Sequence, residues 1–118
     1  MPQEPAGLVL QITDGGDCVT VRLPGCTSLT EVNVEEIGRQ LAGLIAVRDR
    51  LHLSLDLAGI DYLTSVALAK FLSLHAKLHS SGGRLSLVNL KPTIREVFTV
   101  TQLDRVLDVR GIDEAPPA

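Results

Sequence analysis

Two adjacent hydroxyl residues, Thr64 and Ser65, stand where a strand-like segment changes into a helical one. Leucine alternates with other residues over 51–57, the period of a half-buried β-strand, and apolar residues recur at helical spacing from Val66 onward. Phosphate is stabilised at the first turn of a helix by unpaired backbone N–H groups and the positive end of the helix dipole. The pair therefore suits phosphorylation or, as the residues alone favour, a structural role as helix cap and first-turn residue.

The other reactive side chains predict neither a catalytic site nor a bound cofactor or metal. His75 and His79 lie one helical turn apart, like a two-histidine metal pair, but no glutamate lies between them and histidine is common near helix ends. Asp61 is expected to support the turn before the helix through its own side chain. Cys18 and Cys26 lack metal-site spacing, so both are expected to be reduced thiols.

Composition indicates one folded domain and excludes several classes of function. The chain has 118 residues, of which 45% are hydrophobic and 21% charged, which is typical of a globular protein. A formal charge of −3 shows no basic excess, so nucleic acid is not expected as the main partner. The chain shows no secretion signal and no apolar run of about 18 residues, so we expect a cytoplasmic location and no membrane insertion.

Hydrophobic periodicity predicts the elements that hold the hydroxyl pair in place. The first two strands are joined by a Gly-Gly turn and are expected to form a hairpin; the later strand–helix–strand units imply parallel pairing. After a loop over residues 26–32, Asn33 is expected to cap the first helix with Glu36 as its partner. No internal repeat is apparent. Strands are predicted at 8–12, 18–23, 51–57, 84–90 and 107–109, and helices at 33–45, 65–79 and 92–98.

Three segments carry a resemblance to a known family: LHLSLDLAGIDYLTSVALAKFL, LHSSGGRLSLVNLKPTIREVF and TQLDRVLDV. Over residues 19–109 they follow, in order, the pattern of a STAS domain of the anti-sigma factor antagonist class. In that pattern a strand ends in L-D-[LF]-x-x-[VI], a loop ends in D-S-S-G-L-G before a helix, and a GG-R-L-x-L-x-N strand and T-x-L-D-R-[LV] follow. The combination is specific, although no single motif is diagnostic.

The resemblance implies an α/β protein with the STAS fold, a mixed four- to five-stranded sheet with helices mainly on one face. The length of the chain predicts a single domain, over residues 8–110, with a flexible N-terminus at 1–7. The tail at 111–118 is expected to be flexible because it has too little apolar content to pack.

The resemblance also implies which residues carry the function. Ser65 falls on the family's phosphorylated serine, Thr64 on the acid before it, and Val66 and Ala67 on the serine and glycine after it. An acidic family position in the preceding loop corresponds to Ser28 or its neighbours. The implied partner-binding loop consists of Ser28, Asp61, Tyr62, Leu63, Thr64, Ser65, Val66 and Ala67.

The implied role is regulatory. The unphosphorylated protein would bind a serine-kinase anti-sigma factor, and phosphorylation at Ser65, or at Thr64 as its substitute, would end the binding. A phosphatase is a further partner to consider, and a monomer or weak homodimer is expected.

Two other interpretations stay open. The altered T-S-V-A loop favours a STAS scaffold, stressosome-like or transporter-associated, that recognises partners without phosphorylation. A nucleotide-binding domain with weak hydrolytic activity is remote, because Gly82-Gly83 follows a helix and precedes a strand, where helix termination explains it.

Overall fold

The computed structural model describes residues 10–16 and 18–112. The predicted flexible N-terminus at 1–7, the predicted start of the first strand at 8–9, and residues 113–118 of the tail predicted at 111–118 lie outside these residues. The strands are Gln11–Asp14 (β1), Cys18–Arg22 (β2), Ser28–Leu29 (β3), His52–Asp56 (β4), Tyr62–Leu63 (β5), Arg84–Leu90 (β6) and Asp108–Gly111 (β7). The helices are Glu31–Val47 (α1), Ser65–Ser80 (α2) and Pro92–Val100 (α3), followed by a 3₁₀ turn at Leu103–Arg105.

Five of the strands form a mixed sheet in the order β1-β2-β4-β6-β7. β1 and β2 pair antiparallel as the predicted hairpin, and the other neighbours are parallel. This confirms the predicted α/β fold class. The sheet extends to Gly111, and the Ile112 N–H donates to the Leu90 carbonyl at 3.0 Å, two residues beyond the predicted domain boundary.

The core lies between one face of the sheet and the helices. Alternate strand residues such as Val21, Leu53 and Leu87 are fully buried there, together with the apolar stripes of the helices. The rings of Phe71 in α2 and Phe98 in α3 stack with their centroids 6.4 Å apart, which places both helices against the same core. On the opposite face a row of polar residues crosses all five strands: Thr13, Thr20, Ser54, Ser86 and Asp108.

The start of α1 differs from the prediction. Thr30, not Asn33, is the N-cap, and the helix begins at Glu31. Asn33 lies in the first turn, where its Oδ1 accepts a 2.8 Å hydrogen bond from the Thr30 N–H. Asn33 thus contributes to capping from the third helical position, as the acidic or amide residue of a capping box does.

The predicted loop at 26–32 and the segment before α2 also differ from expectation. Each contains a two-residue strand, and these strands, β3 and β5, pair in parallel as a separate small sheet. Strands this short carry no readable alternation, so periodicity could not reveal them.

Candidate functional site

Ser65 is the first residue of α2, and its side chain is exposed. The preceding Thr64 is the N-cap, with extended backbone angles, and its hydroxyl oxygen accepts a 3.3 Å hydrogen bond from the Ala67 N–H. The two hydroxyls therefore have different tasks: Thr64 closes the end of the helix, while Ser65 is directed to solvent. A group attached to Ser65 would not disturb the cap.

The small β3–β5 sheet ties the segment before Ser65 to the segment before α1. Ser28 pairs with Tyr62, and Leu29 with Leu63. Flanking them, the Asp61 N–H donates to the Thr27 carbonyl at 2.7 Å, and the Thr64 N–H to the Leu29 carbonyl at 3.0 Å. The two segments form one continuous surface, and the backbone at the helix start is held from outside its own loop.

Asn33 holds the β3 segment in shape. Its Nδ2 donates to the Ser28 carbonyl at 2.6 Å, while its Oδ1 accepts from the Thr30 N–H. The Cys26 thiol donates to the same Ser28 carbonyl at 3.2 Å, and burial raises the pKa of this thiol, which keeps it protonated for that bond. Asn33 is thus a positioning residue for β3 and, through β5, for Thr64 and Ser65.

Asp61 makes a contact that its sequence neighbours do not suggest. Its carboxylate forms an ion pair with Lys91, the residue that precedes α3. Within residues 10–16 and 18–112, the Asp61 side chain makes no hydrogen bond to the backbone of its own turn, which differs from the prediction. The pair instead connects the loop before α2 to the start of the third helix. Both side chains are partly exposed, so its contribution to stability is small.

The two helices that begin at the small sheet start in closely similar ways. Residues 29–34 read LTEVNV and residues 63–68 read LTSVAL, an offset of 34 positions. Thr30 and Thr64 are the two N-caps, and Leu29 and Leu63 are paired across β3–β5. Glu31 and Ser65 consequently hold the same first position of their helices. The likeness covers only six residues, so it marks a shared way of starting a helix and not an internal repeat.

The predicted partner-binding residues differ in how available their side chains are. Four of them are exposed: Asp61, Tyr62, Ser65 and Val66. Ser28, Leu63 and Thr64 are partly buried. Ala67 is fully buried, because it lies on the inner face of α2, and its side chain packs in the core. A partner can therefore meet the first residues of α2 but not the side chain at 67.

On the polar face of the sheet, a hydrogen-bond chain links His52, Ser86 and Asp108. Ser86 Oγ donates to Asp108 Oδ2 at 2.8 Å and lies 3.0 Å from His52 Nε2. Because the serine proton is given to the carboxylate, the histidine must donate its N–H to the serine oxygen. A nucleophilic triad needs the reverse order, with the histidine accepting from the serine. Ser86 is also only 1% exposed. These three hydrogen-bonded side chains therefore have a structural role in the sheet.

The rest of the described chain adds little to the site. An open depression of about 310 Å³ lies at the ends of β2 and β4, where Arg22 pairs with Asp56 at 3.6 Å.

The rings of His75 and His79 stack with their centroids 5.8 Å apart. Within residues 10–16 and 18–112 no three His, Cys, Asp or Glu side chains cluster as metal ligands would. None of the helices in this part combines the length and apolarity needed to span a bilayer.

Comparison with known proteins supplies the context for this geometry. The sequence profile of the STAS domain family matches residues 10–114. The chain is 31% identical over 90 residues to BtrV of Bordetella bronchiseptica, which is assigned as an anti-sigma factor antagonist; the match covers 76% of this chain and 77% of BtrV.

Solved structures share the fold at lower sequence identity. A STAS domain protein from Planctomyces limnophilus matches with a TM-score of 0.77 at 19% identity, over 86% of this chain and 89% of that one. The anti-sigma factor antagonist SpoIIAA matches at 22% identity, with a TM-score of 0.71 for its unphosphorylated form, over 86% of this chain and 87% of that one. The phosphorylated Bacillus form has a TM-score of 0.64 over 86% and 90% of the two chains.

Proposed function

This chain belongs to the STAS domain family, in its anti-sigma factor antagonist class, and on that premise we propose that it is a partner switch controlled by phosphorylation of Ser65. In the unphosphorylated state it binds a serine-kinase anti-sigma factor in the cytoplasm, which frees the sigma factor. Phosphorylation by that kinase ends the binding, and a phosphatase restores it. The exposed hydroxyl of Ser65 at the first position of α2 is the observation that carries the proposal.

The surroundings of Ser65 support a role as phosphate acceptor. Because Thr64 already caps the helix through the Ala67 N–H, a phosphate on Ser65 breaks no hydrogen bond of the fold. The first turn of α2 contains no acidic residue, so the positive end of the helix dipole is not yet neutralised. In α1 the equivalent position holds Glu31, a permanent negative charge, which indicates that such a helix start accommodates an anion.

Phosphorylation would act on the partner more than on the fold. The phosphate adds about −1.5 to −2 charges at one exposed point. A partner surface that fits a neutral hydroxyl beside Val66 would meet added bulk and a charge that must lose its water. Losses of about 2–5 kcal/mol are common when one member of a buried polar contact is mismatched, which corresponds to a 30-fold or larger loss of affinity.

A STAS scaffold that is never phosphorylated is the second candidate, and the sequence T-S-V-A favours it. Val66 and Ala67 replace the serine and glycine of the family pattern, so the helix start is stiffer than a glycine-containing one. In that case the same surface would be a fixed recognition site.

Peptide mass spectrometry on the protein purified from its native cells separates the two candidates. Trypsin releases residues 51–70 as one peptide, which contains the hydroxyls of Ser54, Tyr62, Thr64 and Ser65. Fragment ions produced by cleavage of the bond between residues 64 and 65 show which of the two carries the phosphate. We expect it on Ser65, absent in Ser65→Ala, and we expect Ser65→Ala to retain the anti-sigma factor through purification while Ser65→Asp loses it.

Phosphate on Thr64 would move the switch by one residue and transfer the acceptor role to its substitute. An unphosphorylated peptide under every growth and stress condition, with the anti-sigma factor still bound, would contradict the switch and leave the scaffold.

A further inference from the structure

We propose that the docking surface extends from α2 onto the first turn of α1, with Val32 as a contact residue that the family resemblance does not indicate. The inference rests on the proposed function, since it concerns the same partner. The surface, called here the paired helix starts, consists of the exposed side chains of Glu31, Val32, Tyr62, Ser65 and Val66. Its occupant is the anti-sigma factor, which we expect to present an apolar centre with a basic group opposite Glu31.

Exposed apolar side chains are concentrated at this place. Val32 is 74% exposed, Tyr62 59% and Val66 45%. Val32 and Val66 are each the second residue of a helix, and Tyr62 belongs to the strand that pairs with the segment before α1. Single exposed apolar residues are ordinary, but three on adjoining elements form a patch of the kind found at protein interfaces.

The two helix starts are held side by side. Hydrogen bonds of β3–β5 fix the residues immediately before both N-caps. One to two turns further along, α1 and α2 approach so closely that a Cβ on Gly38 would lie 2.8 Å from the Cδ of Lys70. Lys70 Nζ also lies 3.8 Å from a carboxylate oxygen of Glu35 in α1. Val32 and Val66 are thus on one rigid surface, available to one partner at once.

Charge defines what the partner should offer. Of the acids near the patch, Asp61 is paired with Lys91 and Glu35 with Lys70. Glu31 has no basic side chain within ion-pair distance among residues 10–16 and 18–112, and it is exposed. A basic group on the partner would therefore find Glu31 uncompensated. Electrostatic complementarity of this kind chiefly sets the rate and specificity of association.

This arrangement is consistent with a phosphate on Ser65 that weakens binding. Packed helices are about 8–10 Å apart, so a basic group opposite Glu31 would lie roughly one Debye length from the phosphate. It would compensate the new charge only weakly. The phosphate itself would stand beside the apolar centre of the interface, where the loss of its water costs most.

Position-specific photocrosslinking in the native cells tests the surface. A photoreactive amino acid is placed at 32, at 66, or at 47, and the crosslinked protein is identified by mass spectrometry. Val47 is the matched control, because it is a valine on the same helix, 76% exposed, at the opposite end. We expect the same anti-sigma factor to be captured from positions 32 and 66 and not from 47.

The outcomes separate this inference from the function on which it rests. Capture of the anti-sigma factor at 66 but not at 32 would overturn the extension to α1 and leave the proposed function intact. Its absence at both positions would overturn both. Capture at 32 of a second copy of this chain would mark a self-association surface and also overturn the inference.

Affinity measurements with the captured anti-sigma factor give a second readout. Glutamine favours helices, so Val32→Gln and Val47→Gln should both fold, as circular dichroism can verify. We expect binding at least fivefold weaker for Val32→Gln and within twofold of the unaltered protein for Val47→Gln. Glu31→Gln should lower the association rate and its dependence on salt. Equal affinities for the two valine variants would contradict the inference.

Discussion

The backbone N–H of Thr64 donates a 3.0 Å hydrogen bond to the carbonyl of Leu29, 35 positions earlier in the chain. Thr64 caps α2, and Leu29 is followed by Thr30, which caps α1. One hydrogen bond therefore couples the starts of both helices. The exposed Ser65 hydroxyl is placed by the small β3–β5 sheet as much as by its own helix, and this coupling gives several expectations for stability and dynamics.

The two hydroxyls at the start of α2 should differ in their effect on stability. Thr64→Ala removes the acceptor of the Ala67 N–H and should lower the free energy of unfolding by about 1 kcal/mol, the usual cost of losing an N-cap. Ser65→Ala should change it by less than about 0.5 kcal/mol, because exposed substitutions away from special features have small effects. Urea denaturation of both variants checks this. A larger loss for Ser65→Ala would mean that Ser65, not Thr64, supports the helix end.

Asn33 should control the order of the β3–β5 sheet. Asn33→Ala removes the donor to the Ser28 carbonyl and the acceptor for the Thr30 N–H, so we expect a loss of about 1–2 kcal/mol in stability. Amide hydrogen exchange at Asp61 and Thr64 should become faster, since these N–H groups donate to the β3 segment. Gln40→Ala, which removes only a side-chain bond to Glu36 later in the same helix, is the control. Unchanged exchange at both amides in Asn33→Ala would exclude the positioning role.

Two glycines should respond oppositely to alanine. Gly43 lies within α1, and a Cβ there would meet nothing within 4 Å, so Gly43→Ala should raise stability by about 0.5–1 kcal/mol through helix propensity. At Gly83 a Cβ would lie 2.3 Å from the Leu51 carbonyl oxygen, and relieving that overlap should cost about 1–3 kcal/mol. Thermal unfolding of both variants tests the pair. Equal melting temperatures would show that the approach of Gly83 to β4 is not tight.

Arg48 should determine the titration of Asp14. Hydrogen bonds from the Arg48 guanidinium, and then from the Gly16 N–H, lower the pKa of Asp14 to about 2 from 3.8. Because the folded-state pKa is depressed, the stabilisation is complete above about pH 4 and is lost as the pH falls through 2. In Arg48→Gln the midpoint observed by NMR for the Asp14 carboxyl should move towards 3.8. A midpoint that stays near 2 would assign the shift to the Gly16 N–H instead.

Much of the fold was predictable because its signals are local. The strand at Arg84–Leu90 was predicted with its exact limits, and α2 was predicted to within one residue, since each has a clear period bounded by caps or glycines. The placement of Ser65 at a helix start also followed from the change of period after residue 57.

The tertiary structure decided how that serine is held and what surrounds it. The β3–β5 pairing, the role of Asn33 and the contact of Lys91 with Asp61 join residues that are far apart in the chain or lie in strands too short for any periodicity. The two similar helix starts lie side by side because Leu29 and Leu63 pair across the small sheet, and the sequence alone does not show this pairing. Sequence pattern specifies which elements form, because hydrogen bonding and burial within one element repeat along the chain; which elements meet depends on packing between them, and packing has no such repeat.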